Sequence, residues 1–142
     1  MLRGDQSRGN MQRALAAVRS QVAPTEPIFV DFQSYFMIRF YLCPEIGTAW
    51  DTSVPGFRSF PCGGYRVIST QPDLNIFTAD SFATSWPQML QAFHLQTGQR
   101  VWIFQAGWDI GLAQQLGAQG KFPVERLQTF EKNVNLFEIT VR

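Results

Sequence analysis

The chain has 142 residues, a formal net charge of +1 and 45% apolar residues, among them 13 Phe. That is enough for one hydrophobic core, so a single α/β domain over 1–142 is expected, with residues 1–10 as linker or disordered chain. A charge so near zero argues against nucleic acid as a partner. No apolar run is long enough to span a bilayer, and the polar N-terminus lacks the apolar segment of a signal peptide.

Met11, Leu15, Val18 and Val22 fall on one helical stripe, so a first helix is expected to begin near residues 5–7 and to end before Pro24. Arg3, Arg8, Arg13 and Arg19 are answered over this stretch only by Asp5, which makes the helix basic. Such a helix suits a lipid-proximal position; composition alone favours a solvated outer face over a packing stripe. Pro24 and Pro27 make a stiff connector into an apolar strand at 28–31. An apolar helix at 33–42 follows, ended by Cys43-Pro44. Residues 45–61 are rich in Gly, Pro, Ser and Thr and read as a long, candidate functional loop. A strand is expected at 60–70, with Gly63-Gly64 bending its start, and another at 75–78.

Asp80 or Ser81 then caps a helix to about Gln96, with Pro87 best tolerated if the helix begins near Ser85. Thr97-Gly98 punctuates the chain before the strand at 101–105. Asp109 caps a short helix to Gln119, with Gly120 as its C′ residue. Residues 124–130 and 134–141 form a terminal hairpin, which places the last strand antiparallel at an edge.

A unit of apolar strand, polar turn and helix thus recurs at 28–34, 75–81 and 101–109. It predicts an α/β fold: a single three-layer domain, its sheet mostly parallel with helices on both faces, closed by an antiparallel C-terminal edge strand.

Ligands of open parallel sheets bind beyond the carboxyl ends of the strands. Those ends carry Asp31, Gln33, Thr78, Asp80, Gln105, Trp108 and Asp109. Carboxylates, amides and an indole in one crevice suit a hydroxyl-rich ligand such as a sugar. The commoner use of Asp31, Asp80 and Asp109 is as helix caps, a role that folds of every function share. Gln105 to Gly111 is not a phosphate fingerprint, because Trp108 and Asp109 stand where the backbone would have to approach phosphate. There is no P-loop or nucleophile elbow, and Cys62-Gly63-Gly64 matches no thiol-enzyme motif. His94 is the only histidine. With two Cys that lack CxxC spacing it makes no zinc site, so no metal or cofactor is expected, and His94 reads as a helix-end residue near the C-terminal dipole. Cys43 and Cys62 flank one loop, a placement that fits a disulfide in an oxidising compartment and free thiols in a reducing one.

The order of these segments carries a resemblance. The helix bearing Leu15 and Val18 leads through Val22-Ala23-Pro24 into Pro27-Ile28-Phe29-Val30-Asp31-Phe32-Gln33-Ser34. An apolar helix ending in Tyr41-Leu42-Cys43 follows. Pro55-Gly56-Phe57, the run from Phe60 to Val67 and the run from Val101 to Asp109 extend the likeness. From about Met11 onward the chain resembles the C-terminal soluble domain of bacterial membrane glycosyltransferases of the GT-C type, the dolichyl-phosphate-mannose mannosyltransferase-like family. In that family the catalytic acid lies in an extracytoplasmic loop near the start of a multi-helix membrane region, and sugar comes from a polyprenyl-phosphate donor. No position of this chain matches that loop, so no catalytic residue carries over. The resemblance implies a periplasmic or otherwise extracytoplasmic accessory domain that is silent alone. Its partner would be the membrane-embedded glycosyltransferase region, in the same chain or split from it, together with a lipid-linked sugar or an acceptor glycan. The Cys pair would then sit in an oxidising compartment. The competing reading is a stand-alone soluble α/β enzyme, or a sugar-binding module, built on the strand-end carboxylates.

Overall fold

The computed structural model describes residues 3–30, 38–39, 43, 57–70, 79–106, 112–119, 124–130 and 134–141. Three helices and six strands are among them: α1 (Arg3–Gln21), β1 (Ile28–Val30), β2 (Phe57–Cys62), β3 (Tyr65–Thr70), α2 (Ala79–Ala92), β4 (Arg100–Ala106), α3 (Leu112–Gln119), β5 (Val124–Thr129) and β6 (Val134–Thr140). The strands form one mixed sheet in the order β2-β3-β1-β4-β6-β5.

Among the described strands, parallel pairing is confined to the centre. β1 lies between β3 and β4 and runs parallel to both, with Phe29 opposite Ile68 on one side and Ile103 on the other. Every residue of β1 is buried, as befits an unbroken apolar run covered on both sides. The wings are antiparallel: β2 on β3, β6 on β4 and β5 on β6. A mostly parallel sheet is therefore corrected to a mixed one. The reason is chain length, because the connections from β2 to β3 and from β5 to β6 are too short for anything but hairpins.

Two further expectations change. Gly63 and Gly64 do not bend the start of one strand. Both have positive φ (57° and 90°), the backbone of a two-residue hairpin turn, so β2 emerges from residues read as loop. Pro61 is tolerated within β2 because β2 is an edge strand. The last strand, β6, is antiparallel but internal; β5 takes the edge. The strand expected at 75–78 lies outside the described residues.

α1 begins at Arg3, ahead of its expected start, and runs through most of the segment expected to be linker. α2 begins at Ala79, beside the Asp80 or Ser81 cap expected and not at the alternative Ser85, so Pro87 sits in its interior without an amide to donate toward Ala83. α2 ends four residues before the expected Gln96, in a Schellman motif. The Leu95 N–H donates to Leu90 O (2.9 Å), the His94 N–H donates to Gln91 O (3.4 Å), and His94 has φ 55°.

Alternation along the strands divides the buried residues into two clusters. The first joins Met11, Leu15 and Val18 of α1 to Ile28, Val30, Trp102 and Leu136. The second joins Phe82, Met89 and Phe93 of α2 with its C-terminal end, and Leu116 of α3, to Phe29, Ile103 and Phe137. It is strongly aromatic: Phe29 meets Phe82 edge-on at 5.8 Å, and Phe82 stacks on Trp86 at 5.2 Å. Cys43 and Cys62 form a disulfide in the first cluster, with their Cα atoms 4.4 Å apart. No helix among the described residues is long and apolar enough to cross a membrane.

Candidate functional site

The carboxyl ends of the central strands are described only in part. Asp31, Gln33, Thr78, Trp108 and Asp109 lie outside the described residues. Gln105 is buried near the end of β4, opposite Asn135 of β6, which is also buried and accepts a hydrogen bond from Thr129 Oγ1 at 2.9 Å. Asp80 is exposed, in the first turn of α2 rather than before it. Its carboxylate accepts from Gln119 Nε2 at 3.2 Å, and its carbonyl accepts from Thr84 Oγ1 at 2.9 Å. Its charge suits the positive end of the helix, and its side chain ties the start of α2 to the end of α3.

The amino ends of β1 and β4 carry a denser set of polar contacts. Glu26, in the connector before β1, is buried. Its Oε1 accepts from the Ala23 N–H at 2.9 Å and from Trp102 Nε1 at 3.1 Å. Its Oε2 accepts from Arg100 Nε at 2.5 Å. Burial alone would raise the carboxyl's pKa. The hydrogen bonds from Ala23, Trp102 and Arg100, with the Arg100 charge, outweigh it and hold Glu26 below the ordinary carboxylate value. An anion engaged by three donors, one of them a guanidinium, is held as a structural anchor rather than left free as a base.

Glu138 lies behind this group on β6, opposite Trp102. It is 2% exposed, its Oε1 is 3.6 Å from Arg126 Nε, and its Oε2 is 3.8 Å from an Arg100 Nη and makes no hydrogen bond. Arg126 reaches it from a bulge: β5 gains one residue on β6 between Glu125 and Gln128, and Arg126 takes φ 51° there. A buried carboxylate flanked by two guanidinium groups is compensated in charge even where hydrogen-bond geometry is incomplete.

In front of Glu26 and Arg100 opens a hollow of about 560 Å³, lined also by Thr25, His94, Thr97 and Gln99. Its floor is cross-braced. Gln99 Oε1 accepts from the Gln96 N–H (3.1 Å), Gln99 Nε2 donates to Thr25 O (3.4 Å), and the Gly98 N–H donates to Val141 O (2.7 Å). Sequence reasoning took this stretch for a connector and a turn. The signal it contained was a lone Glu held between two prolines directly ahead of a wholly apolar strand. Such a charge needs partners from elsewhere in the fold.

No group of three or more His, Cys, Asp or Glu among the described residues is placed to hold a metal ion. No family model matches the chain, and no curated protein or solved structure matches it either.

Proposed function

We propose that this chain is an extracytoplasmic accessory domain of a membrane glycosyltransferase that draws on a polyprenyl-phosphate sugar donor, and that it does no chemistry alone. Its partner is then the membrane-embedded catalytic region, with the lipid-linked sugar or acceptor glycan held between them. The observation that carries the reading is the Cys43–Cys62 disulfide, whose two residues are 9% and 0% exposed. A bridge built into a core is the mark of a protein that folds where thiols are oxidised. The accessory role has a second support. The best-connected carboxylate, Glu26, is consumed by structural donors rather than poised for catalysis. The two separate core clusters support a three-layer domain with helices on both faces of the sheet.

The test has two parts. The reading frame around the chain should encode hydrophobic spans, and deleting this chain from that product should lower sugar transfer while membrane insertion persists. The isolated chain, offered polyprenyl-phosphate sugars, nucleotide sugars and simple glycosides, turns over none of them. Turnover that an Asp→Asn change abolishes without loss of fold, or recovery of the native protein from cytosol with both thiols reduced, overturns the proposal. The first result favours a stand-alone enzyme, the second a stand-alone enzyme or small-ligand module.

A further inference from the structure

We propose that the hollow at the amino ends of β1 and β4 binds an uncharged, hydroxyl-rich ligand: a sugar residue or comparable polyol. It lies at the opposite end of the parallel strands from the crevice the sequence points to. The ligand class is read from the lining alone, independently of any membrane partner.

The volume, about 560 Å³, is that of a small-molecule site. The charge balance decides the class. Among the described residues Arg100 is the one Arg or Lys in the wall, and two carboxylates answer it: Glu26 at 2.5 Å and Glu138, shared with Arg126, at 3.8 Å. A phosphate or carboxylate ligand would compete with them for the same guanidinium and would set a further negative charge beside two buried carboxylates. A cation would compete with the three donors that already engage Glu26. What the wall offers is hydrogen bonding from neutral groups. The hydroxyls of Thr25 and Thr97 and the ring nitrogens of His94 both donate and accept. The Nη groups of Arg100 make no hydrogen bond among the described residues and can only donate. A hydroxyl, donor and acceptor at once, satisfies such a mixed set; an apolar ligand would leave it unpaired.

The backbone adds an independent argument. His94 occupies the C′ position of α2 at φ 55°, where glycine is the usual residue and any side chain pays a conformational penalty. His94 is exposed, so its side chain gains no burial in return. It does place the chain's only imidazole at the rim of the hollow. The floor, braced from Gln99 to Thr25 and from Gly98 to Val141, is formed before any ligand arrives.

The experiment is an NMR titration of the whole chain with methyl α-D-glucopyranoside, methyl α-D-galactopyranoside and myo-inositol, with inorganic phosphate as the charged probe. At least one uncharged probe is expected to shift the His94 imidazole and the Gln96, Thr97 and Gln99 amides saturably, with millimolar affinity, while phosphate does not. Thr97 is exposed, so Thr97→Trp fills the hollow without touching the Glu26 contacts; it should weaken binding about tenfold or more. Gln114→Ala, on the exposed face of α3, should leave affinity unchanged. The proposal is overturned if no uncharged probe gives a saturable shift at these residues, if phosphate alone saturates them, or if Thr97→Trp binds as the parent does.

Discussion

The cluster built on α1 and the cluster built on α2 and α3 share one sheet and are held in different ways. The second is filled by rings: Phe29, Phe57, Phe82, Phe93 and Phe137, with edge-on contacts such as Phe57 on Phe93 at 5.8 Å. The first mixes the rings of Phe60, Trp102 and Phe104 with the smaller aliphatic side chains Ala14, Leu15, Val18 and Val22 of α1 and its end, and is cross-tied by a disulfide. Beside its Trp102 are sunk the carboxylates of Glu26 and Glu138. Aromatic filling derives its strength from area and is indifferent to pH. A polar tie gives less free energy but fixes position, since each donor has one acceptor that satisfies it. One sheet thus has a side that resists by bulk and a side that resists by specific partners.

The largest expected effect falls on the aromatic side. Phe82 is fully buried between Phe29 and Trp86, and Phe82→Ala should cost about 3–5 kcal/mol in denaturant unfolding. A loss below about 1 kcal/mol would mean that the rings do not bear the load assigned to them. Next comes the disulfide. Replacing both cysteines with Ala should cost about 3 kcal/mol for a sequence separation of 19, with little change on adding reductant to the double variant.

Glu26→Gln should cost about 1.5–3 kcal/mol, the range for hydrogen bonds to a charged group. It also sharpens the comparison through pH. The folded-state pKa of Glu26 is depressed, so its contribution is complete above the ordinary carboxylate range and fades as pH falls through the lowered value. Unfolding midpoints measured down to strongly acid pH should converge for parent and Glu26→Gln; a gap that stays constant would show that the charge is not the tie. The smallest effect has the opposite sign. His94→Gly relieves a left-handed backbone and should raise stability by about 1 kcal/mol, read as a higher melting temperature, whereas His94→Ala should not.

How much of this was legible depended on how local the cause was. β1 and β4 were plain because an unbroken apolar run such as Ile28–Val30 has one stable home, covered on both sides. The β5–β6 hairpin was plain because the turn between its strands is short, but which strand takes the edge depends on β4, which the hairpin's own sequence does not mention. β2 was missed because Pro61 and Ser59 look like loop residues, and only its edge position makes Pro61 acceptable. Gly63-Gly64 held the turn signal and was taken for a bend. The start of α2 near Asp80 was legible; the alternative start at Ser85 fails because Pro87 argues locally against a helix that tertiary packing of Phe82 and Met89 stabilises anyway. At the candidate site, Asp80 and Gln105 stood out as residue types. Glu26 did not, because its partners Arg100 and Trp102 are 74 and 76 residues downstream and no window along the chain contains both ends.

That separation has a kinetic side. β1 is made before both its neighbours in the sheet, β3 and β4, and Glu26 waits for the segment that begins at Arg100. At a synthesis rate of about 5–20 residues per second, the nascent chain carries an uncovered Ile28-Phe29-Val30 and an unanswered carboxylate for on the order of 4–15 s. Closing the centre of the sheet then requires a long-range loop closure, the slowest kind of step for a domain of this size. The charge on Glu26 keeps this apolar run flanked by a solvated residue during the wait, and the same charge becomes the anchor once β4 arrives.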